Sequence, residues 1–196
     1  LGNYFLDKGY LIVEMPQTAI FKAFDFTETS DFENVLTKRS KRHFKNDILP
    51  YIDTYEIKIN EQLSDSELQK AYELFLNVKE NNLAINNFTY AFGLFEAMNK
   101  NNNWSFLQAL DPLNHEMVGV VFCYKNGTNN SFNPILIGMS DSDQHRLILY
   151  RQLLFQTILY AKKENFNKIY FGVSAIFEKR KLGAKVYDKE AYVQLV

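Results

Sequence analysis

The sequence has one cysteine, three histidines, four prolines and eight glycines among its 196 residues. Because Cys123 is alone, no disulfide can form within the chain, which favours a reducing compartment and leads us to expect a cytoplasmic protein. The histidines and the cysteine lack metal-ligand spacing, so we expect no metal site. Few prolines and glycines argue against long linkers, and the length suits one domain, with or without a short appendage.

An excess of either charge is also lacking, since the net charge is −1. This excludes the strongly basic footprint of a general nucleic-acid binder, although residues 38–45 form one local basic run. No stretch reaches the ~18 apolar residues of a membrane span, and the first residues form no signal peptide. Because the chain begins with Leu1 rather than methionine, we expect a fragment of a longer protein or missing first residues.

The apolar pattern predicts alternating strands and helices. Two capping boxes, Ser30 with Glu33 and Ser64 with Glu67, each predict a helix start. Strands are predicted at 10–14 and 18–24, joined as an N-terminal hairpin, and at 54–59, 104–110, 117–124, 134–139, 168–172 and 185–195. Helices are predicted at about 31–46, after Ser64, at 88–99, 144–164 and 175–182.

The long predicted helix at 144–164 lies between two strands, which implies parallel strands with a right-handed crossover. From residue 54 onward the order is β-α-α-β-β-β-α-β-α-β. We therefore expect an α/β (α+β) fold with a mixed central sheet and helices on both faces. Residues 1–50 are predicted to form a hairpin and a basic helix that end a preceding segment, and residues 51–196 to form the main domain.

Two segments carry a resemblance to a known family. Residues 150–171 read YRQLLFQTILYAKKENFNKIYF, followed by Gly172 and by KRKLGA at 179–184. With the element order, these resemble the FemAB-like and BioF2-like branch of the GCN5-related N-acetyltransferase (GNAT) superfamily, over residues 54–196. Residues 36–59, LTKRSKRHFKNDILPYIDTYEIKI, resemble the basic helix that precedes the first core strand in that branch.

The resemblance implies a GNAT-like acyl-CoA N-acyltransferase fold and an N-acyltransferase activity. It implies acetyl-CoA or another acyl-CoA as co-substrate and an amine of a small molecule or peptide as acceptor. The pyrophosphate of the donor would lie at the start of the long helix, where free backbone N–H groups favour phosphate. By position this site comprises Asp143, Gln144, His145 and Arg146. The usual glycine-rich signature is missing there, so the alternative is that Asp143 only caps the helix and Arg146 is solvated.

Further positions follow from the same resemblance. Ile137, Gly138 and Met139 would expose backbone groups to the pantetheine arm of the donor, or would simply form a strand end or bulge. The tyrosine that many GNAT enzymes use as an acid is absent ahead of residues 179–184. Tyr170 is the candidate acid, with core packing as its alternative.

Other side chains are candidates for proton transfer or substrate contact. Glu116 is the leading candidate base, beside His115 and Glu178, and its alternative is a solvated turn residue. Glu178 is also an ion-pair candidate among the neighbouring cations. Ser174 follows a predicted parallel strand, where open α/β sheets place ligands, although a plain loop serine is the alternative. His43 is expected on the surface.

Two alternative functions stay open. FemAB-like relatives transfer aminoacyl groups from tRNA, and the missing phosphate loop and the basic run at 38–45 suit such an enzyme. That run could hold an anionic substrate, a carrier protein or tRNA, or could be a solvated face. The other alternative is a non-catalytic GNAT-like binding module of a larger protein. An enzyme should show an open cleft between 134–139 and 168–172, and a module should fill it with its own side chains.

Overall fold

A computed structural model describes residues 2–80, 88–141 and 145–194 of the chain. The strands are β1 Leu11–Phe21, β2 Glu56–Asn60, β3 Trp104–Leu110, β4 Met117–Asn126, β5 Ser131–Met139, β6 Lys168–Gly172 and β7 Lys185–Val193. The α-helices are α1 Gly2–Asp7, α2 Lys38–Asp47, α3 Asp65–Glu80, α4 Phe92–Asn99, α5 Arg146–Lys163 and α6 Ile176–Lys181. Two short 3₁₀ helices cover Thr29–Val35 and Leu49–Tyr51.

The strands form one mixed sheet in the order β2-β3-β4-β5-β6-β1-β7. All neighbouring pairs are antiparallel except β5 and β6, which are parallel and are joined by α5. The predicted mixed sheet and its one parallel crossover are thereby confirmed.

Helices cover both faces of the sheet because alternate strand residues point to opposite sides. On β4, Val121 and Cys123 face a core that contains Leu149 and Leu153 of α5. Their neighbour Phe122 faces the second core, which is built with α3 and α4. Burial of β4 on both faces explains why its sequence is apolar almost throughout.

The N-terminal segment differs from its prediction. Residues 11–21 form one strand that lies between β6 and β7, so the predicted hairpin is wrong. Its pairing with β7 shifts register between Met15 and Thr18. Pro16 lies in this interval and has no N–H to donate to the ladder, which explains why the segment looked like two strands in the sequence.

The predicted helix at 31–46 is two elements. The 3₁₀ helix Thr29–Val35 has no side-chain cap, and Glu33 of its predicted capping box pairs instead with Lys45. α2 begins after Thr37, whose hydroxyl accepts a hydrogen bond from the Ser40 N–H at 3.3 Å. The predicted cap at Ser30 is therefore wrong, and the α-helix of this segment is capped by Thr37 instead.

The second predicted capping box is confirmed. The Ser64 N–H donates to Glu67 Oε2 at 2.8 Å, and Ser64 Oγ accepts from the Glu67 N–H at 3.4 Å. α3 follows directly and buries Leu68 and Phe75 against the sheet.

Candidate active site

The parallel strands β5 and β6 separate soon after they begin to pair. Ser131 pairs with Lys168 and Phe132 with Ile169, and from Pro134 onward β4 is the one described strand that pairs with β5. The proline has no N–H for a ladder. Ile135 is an extra residue on β5, because Phe122 and Cys123 of β4 pair with residues 136 and 134. Such a bulge bends a strand and re-aims its side chains.

A cavity of about 510 Å³ occupies the space between the separated strands. Most of its lining is apolar, and Ile135 contributes to it with 53% of its surface exposed. Four side chains with polar groups reach the same cavity, namely Arg146, Tyr150, Ser174 and Lys179. The apolar lining is Val78, Val121, Pro134, Ile135, Leu136, Ile137, Met139, Leu154, Phe171 and Ala175.

α5 presents one face to this cavity. Arg146, Tyr150 and Leu154 are spaced four residues apart, so they lie above one another on the helix. Arg146 is in the first helical turn, where the helix dipole also favours anions. Its guanidinium donates a 2.7 Å hydrogen bond to Asp141 Oδ1. This end of the cavity therefore has a fixed cation beside the start of a helix.

Tyr150 lies in the second turn of α5. Burial raises the pKa of its phenol, and the negative charge of Glu178 raises it further. The hydroxyl therefore stays protonated at every physiological pH and can donate a hydrogen bond into the cavity.

The chain turns sharply after β6 on the opposite side of the cavity. Gly172, Ser174 and Ala175 have positive φ angles of 70°, 59° and 42°. The left-handed conformation costs roughly 1–2 kcal/mol for a residue with a side chain. Backbone strain of this kind is concentrated at functional sites, where surrounding contacts maintain it.

Lys179 supplies such contacts. Its Nζ donates to the carbonyl oxygens of Phe171 at 2.7 Å and Val173 at 2.8 Å, which fixes the turn against α6. The residue is only 4% exposed, and burial lowers the pKa of its ammonium to about 8. An ammonium has three N–H groups, so these two bonds leave one for a ligand in the cavity.

Glu178 lies behind this wall in an ion-pair cluster. It accepts from Arg151 Nε at 2.8 Å and from Lys181 Nζ at 3.2 Å. Burial acts to raise the pKa of Glu178, but the bonds from Arg151 and Lys181 outweigh it and hold the pKa below its usual value. Glu178 is therefore an ionised structural partner rather than a base in the cavity. His43, expected on the surface, is buried beside it.

The predicted site residues fall into three groups. Ser174, Ile137, Met139 and Arg146 line the cavity. Within the described part of the chain, Glu116, Tyr170, Gly138 and His145 do not. Asp143 and Gln144 lie outside the described residues, and His145 immediately precedes α5.

Glu116 and Tyr170 have other surroundings. Glu116 is the residue before β4, lies at the surface, and forms an ion pair with Lys70 of α3. Tyr170 is on β6, next in sequence to Ile169 and Phe171, which point into the core on the other face. Lys168 lies over the Tyr170 ring, 5.4 Å from its centroid.

Gly138 has a packing role that the sequence did not reveal. A Cβ there would lie 2.6 Å from the Phe75 backbone nitrogen and 2.8 Å from the Leu74 carbonyl carbon. The close approach that this glycine permits is to the backbone of α3.

The sequence does not identify two of the four polar cavity residues, Tyr150 and Lys179. Both had a signal. Tyr150 lies four residues after Arg146 within the predicted long helix, which placed it on the same face. Lys179 begins the Lys-x-x-Leu-Gly segment that carried the family resemblance.

The described residues contain no group of three or more histidine, cysteine or carboxylate side chains placed to hold a metal ion. Nor do they include a helix with the length and apolar character needed to cross a membrane.

At the level of sequence, no protein-family model and no curated protein matches the chain. Solved structures do match it. L-PGS from Bacillus licheniformis is 11% identical with a TM-score of 0.67, covering 97% of this chain and 63% of that one. FemX is 8% identical with a TM-score of 0.63, covering 89% and 60%. A GCN5-related N-acetyltransferase from Sphaerobacter thermophilus is 12% identical with a TM-score of 0.55, covering 97% and 54%.

These likenesses show the fold. The predicted resemblance to GNAT proteins of the FemAB-like branch is confirmed at that level, because FemX and a GCN5-related N-acetyltransferase share the architecture. The chain spans about three fifths of the length of L-PGS and FemX.

Proposed function

We propose that this chain is an acyltransferase that moves an acyl group from an activated donor to an amine, with the cavity between β5 and β6 as its active site. The observation that carries the proposal is the open cavity at the strand separation, where Arg146, Tyr150, Ser174 and Lys179 converge. A binding module that had lost catalysis should fill this space with its own side chains. The N-acetyltransferase name of one structural neighbour supports the same reaction class.

We propose acyl-CoA, such as acetyl-CoA, as the donor. Arg146 and the start of α5 would hold its pyrophosphate, since a guanidinium forms strong charge-assisted bonds to phosphate. The edge of β5 that faces away from β4 carries backbone groups that β6 does not use beyond Phe132. Those groups are suited to the amides of a pantetheine arm. The apolar lining around Ile137 and Leu154 suits an acyl chain.

The transfer itself needs little acid–base machinery from the protein. The amine nitrogen attacks the acyl carbonyl carbon, and the carbonyl oxygen becomes an oxyanion. The Lys179 ammonium and the Tyr150 hydroxyl are donors that can stabilise this charge. The oxyanion collapses, the carbon–sulfur bond breaks, and the departing sulfur takes a proton from the attacking nitrogen. We assign the proton to the sulfur because no carboxylate is among the described residues that line the cavity.

Ser174 would position the acceptor. Its hydroxyl is exposed at the mouth of the cavity in the strained turn after β6. A hydroxyl there can accept a hydrogen bond from the amine and orient its lone pair toward the carbonyl carbon. Glu116 and Tyr170 lie outside the cavity and have no part in this proposal.

A second candidate is an aminoacyl-tRNA-dependent transferase, in which the bond that breaks is a carbon–oxygen ester. The observation that favours it is the exposed basic face of α2. Arg39 and Arg42 are exposed and have no ion pair within the described part of the chain. The likeness to FemX, a FemAB-like protein, supports the same donor class.

The test is direct. Purified protein is supplied with radiolabelled acetyl-CoA, with longer acyl-CoAs, or with a mixture of aminoacyl-tRNAs, each with a panel of primary amines and amine-bearing peptides. Transfer from an acyl-CoA that is lost in Lys179→Met supports the first proposal. Transfer from aminoacyl-tRNA alone supports the second, and no transfer from any donor overturns both.

A further inference from the structure

A second, smaller cavity of about 210 Å³ lies between α2 and α6. Arg39, Arg42, His43 and Asp47 of α2 line it, together with Phe177 and Lys181 of α6. It is separate from the active-site cavity, and none of the described side chains lines both. Glu178 stands between the two, because it lies 3.6 Å from His43 and its charge also acts on Tyr150.

The charge of this cavity favours an anion. Arg39 and Arg42 are three residues apart on α2, so their guanidinium groups are on one side of the helix. Lys181 adds a third cation, which is shared with Glu178 at 3.2 Å. Asp47 is the one carboxylate among the described lining residues, and His43 Nδ1 binds it at 2.5 Å. Arginine forks are well suited to the oxygens of a phosphate group.

His43 is a buried polar side chain on the wall of this cavity. Its side chain is 5% exposed, its Nδ1 atom contacts Asp47, and its Nε2 atom lies 3.6 Å from Glu178 Oε2, which is too far for a hydrogen bond. Buried polar atoms are almost always hydrogen-bonded. A ligand oxygen that reached Nε2 would add the hydrogen bond that the contact with Glu178 does not provide.

The ring of Phe177 indicates which chemical group the bound phosphate is attached to. The ring is 48% exposed at the edge of the cavity, and Lys181 Nζ lies 4.2 Å from its centroid. Exposed apolar rings beside arginines are typical of sites where a nucleobase stacks while its phosphate is held by cations. An aliphatic phosphoester or a free anion would gain nothing from the ring.

We propose that the cavity between α2 and α6 binds a nucleotide, with its phosphate on Arg39, Arg42 and Lys181 and its base against Phe177. Two ligands share this chemistry: the adenosine phosphate of coenzyme A and the end of an RNA strand. The inference rests on the proposed function, since both sources are donors proposed above, but AMP binding here can be measured whether or not the protein moves an acyl group.

Calorimetry with AMP, inorganic phosphate and adenosine tests the site. We expect AMP to bind more tightly than inorganic phosphate or adenosine. Arg39→Ala and Arg42→Ala should each weaken AMP binding by at least about fivefold, and Phe177→Ala should weaken AMP binding by a similar factor but leave phosphate binding unchanged. Lys38→Ala is the matched control, since it removes one charge from the same helix but not from the cavity lining.

Further ligands separate the two sources. If coenzyme A displaces AMP and its binding is weakened by Arg42→Ala, the natural ligand is the coenzyme. If a short single-stranded RNA binds in an Arg42-dependent way and coenzyme A does not bind, the natural ligand is RNA. Either result supports the proposal. No AMP binding, equal losses in Lys38→Ala and Arg42→Ala, or AMP binding that depends on Arg146 alone would overturn it.

NMR titration of His43 adds a readout that a structural role would not produce. Burial lowers the pKa of His43, the hydrogen bond to Asp47 opposes this, and Lys181 and Arg151 lower it further. Glu178 also faces the ring. A bound phosphate adds negative charge, so saturating AMP should raise the pKa of His43. An unchanged His43 pKa on AMP saturation would place the nucleotide elsewhere.

Discussion

The Nζ atom of Lys179 lies 2.7 Å from the carbonyl oxygen of Phe171, so a helix side chain satisfies the backbone at the end of the strand that borders the cavity. Through this contact, Lys179 contributes to the stability of the fold as well as to the proposed reaction. The same ammonium that fixes the strained turn at residues 172–175 also faces the place where we propose that the acyl carbonyl binds.

Replacement of Lys179 by methionine should lower kcat/KM for acyl transfer by at least about 100-fold, because the stabilising charge beside the oxyanion is lost. Donor affinity measured by calorimetry should change much less, since the charge is needed mainly in the transition state. Lys163→Met is the matched control, because Lys163 is exposed at the end of α5. Equal kcat/KM in wild type and Lys179→Met would remove Lys179 from the mechanism.

The same variant reports on the lysine pKa through stability. Because burial lowers the pKa of Lys179 from 10.5 to about 8, the unfolded chain holds a proton between these values that the folded chain has released. The free energy of unfolding of the wild type, relative to Lys179→Met, should therefore rise from pH 8 to pH 10.5, by up to about 3 kcal/mol. Below pH 8 the difference should be flat. Urea unfolding across this range measures it, and a difference that falls with pH would contradict the burial argument.

Arg146→Ala should weaken binding of acetyl-CoA by at least about tenfold, because the charge-assisted bonds to its phosphates are lost. Maximal turnover at saturating donor should fall little, since Arg146 lies at the helix start and not at the reacting carbonyl in our proposal. Arg180→Ala is the matched control, as Arg180 is exposed on α6 and does not line the cavity. Equal affinities in the two variants would place the phosphates away from α5.

Much of the fold follows from the sequence because the central strands have strong local signals. The predicted bounds of β3 and β6 agree with the structure, and α5 and α6 begin and end within two residues of their predicted limits. The place of β1 could not be predicted, since its pairing with β6 and β7 joins residues about 150 to 180 positions apart. Local patterns contain no information on such partners.

The site was harder to predict than the fold. Ser174 and Arg146 can be predicted because strand ends and helix starts are recognisable in sequence. Lys179 cannot, since charged residues on a short, highly charged helix are usually solvated. Its burial depends on the left-handed turn before α6, and nothing in the Ser-Ala sequence at 174–175 indicates positive φ angles.

Ala175→Gly should raise the free energy of unfolding by about 1 kcal/mol, because glycine adopts φ = 42° without the steric cost that alanine incurs. For a chain of this length the melting temperature should rise by roughly 2–4 °C. Ala191→Gly is the matched control, since Ala191 in β7 has no positive φ and should lose about 0.5–1 kcal/mol. Destabilisation by both changes would show that Ala175 is not strained.

Gly138→Ala tests whether the glycine of β5 allows close packing of α3 or close approach of the acyl donor. The added Cβ would meet the backbone of Phe75 at 2.6 Å and of Leu74 at 2.8 Å, and the backbone of α3 cannot rotate away as a side chain can. We expect a loss of about 1–3 kcal/mol in the free energy of unfolding, measured by urea titration.

Gly127→Ala is the control for that change, because no atom of the described residues lies within 4 Å of a Cβ at Gly127. Its stability should stay within about 0.5 kcal/mol of the wild type. If Gly138→Ala kept wild-type stability but lost affinity for the acyl donor, the glycine would serve close approach of the ligand. A loss of stability with donor affinity retained in the folded fraction would assign it to the packing of α3 against β5.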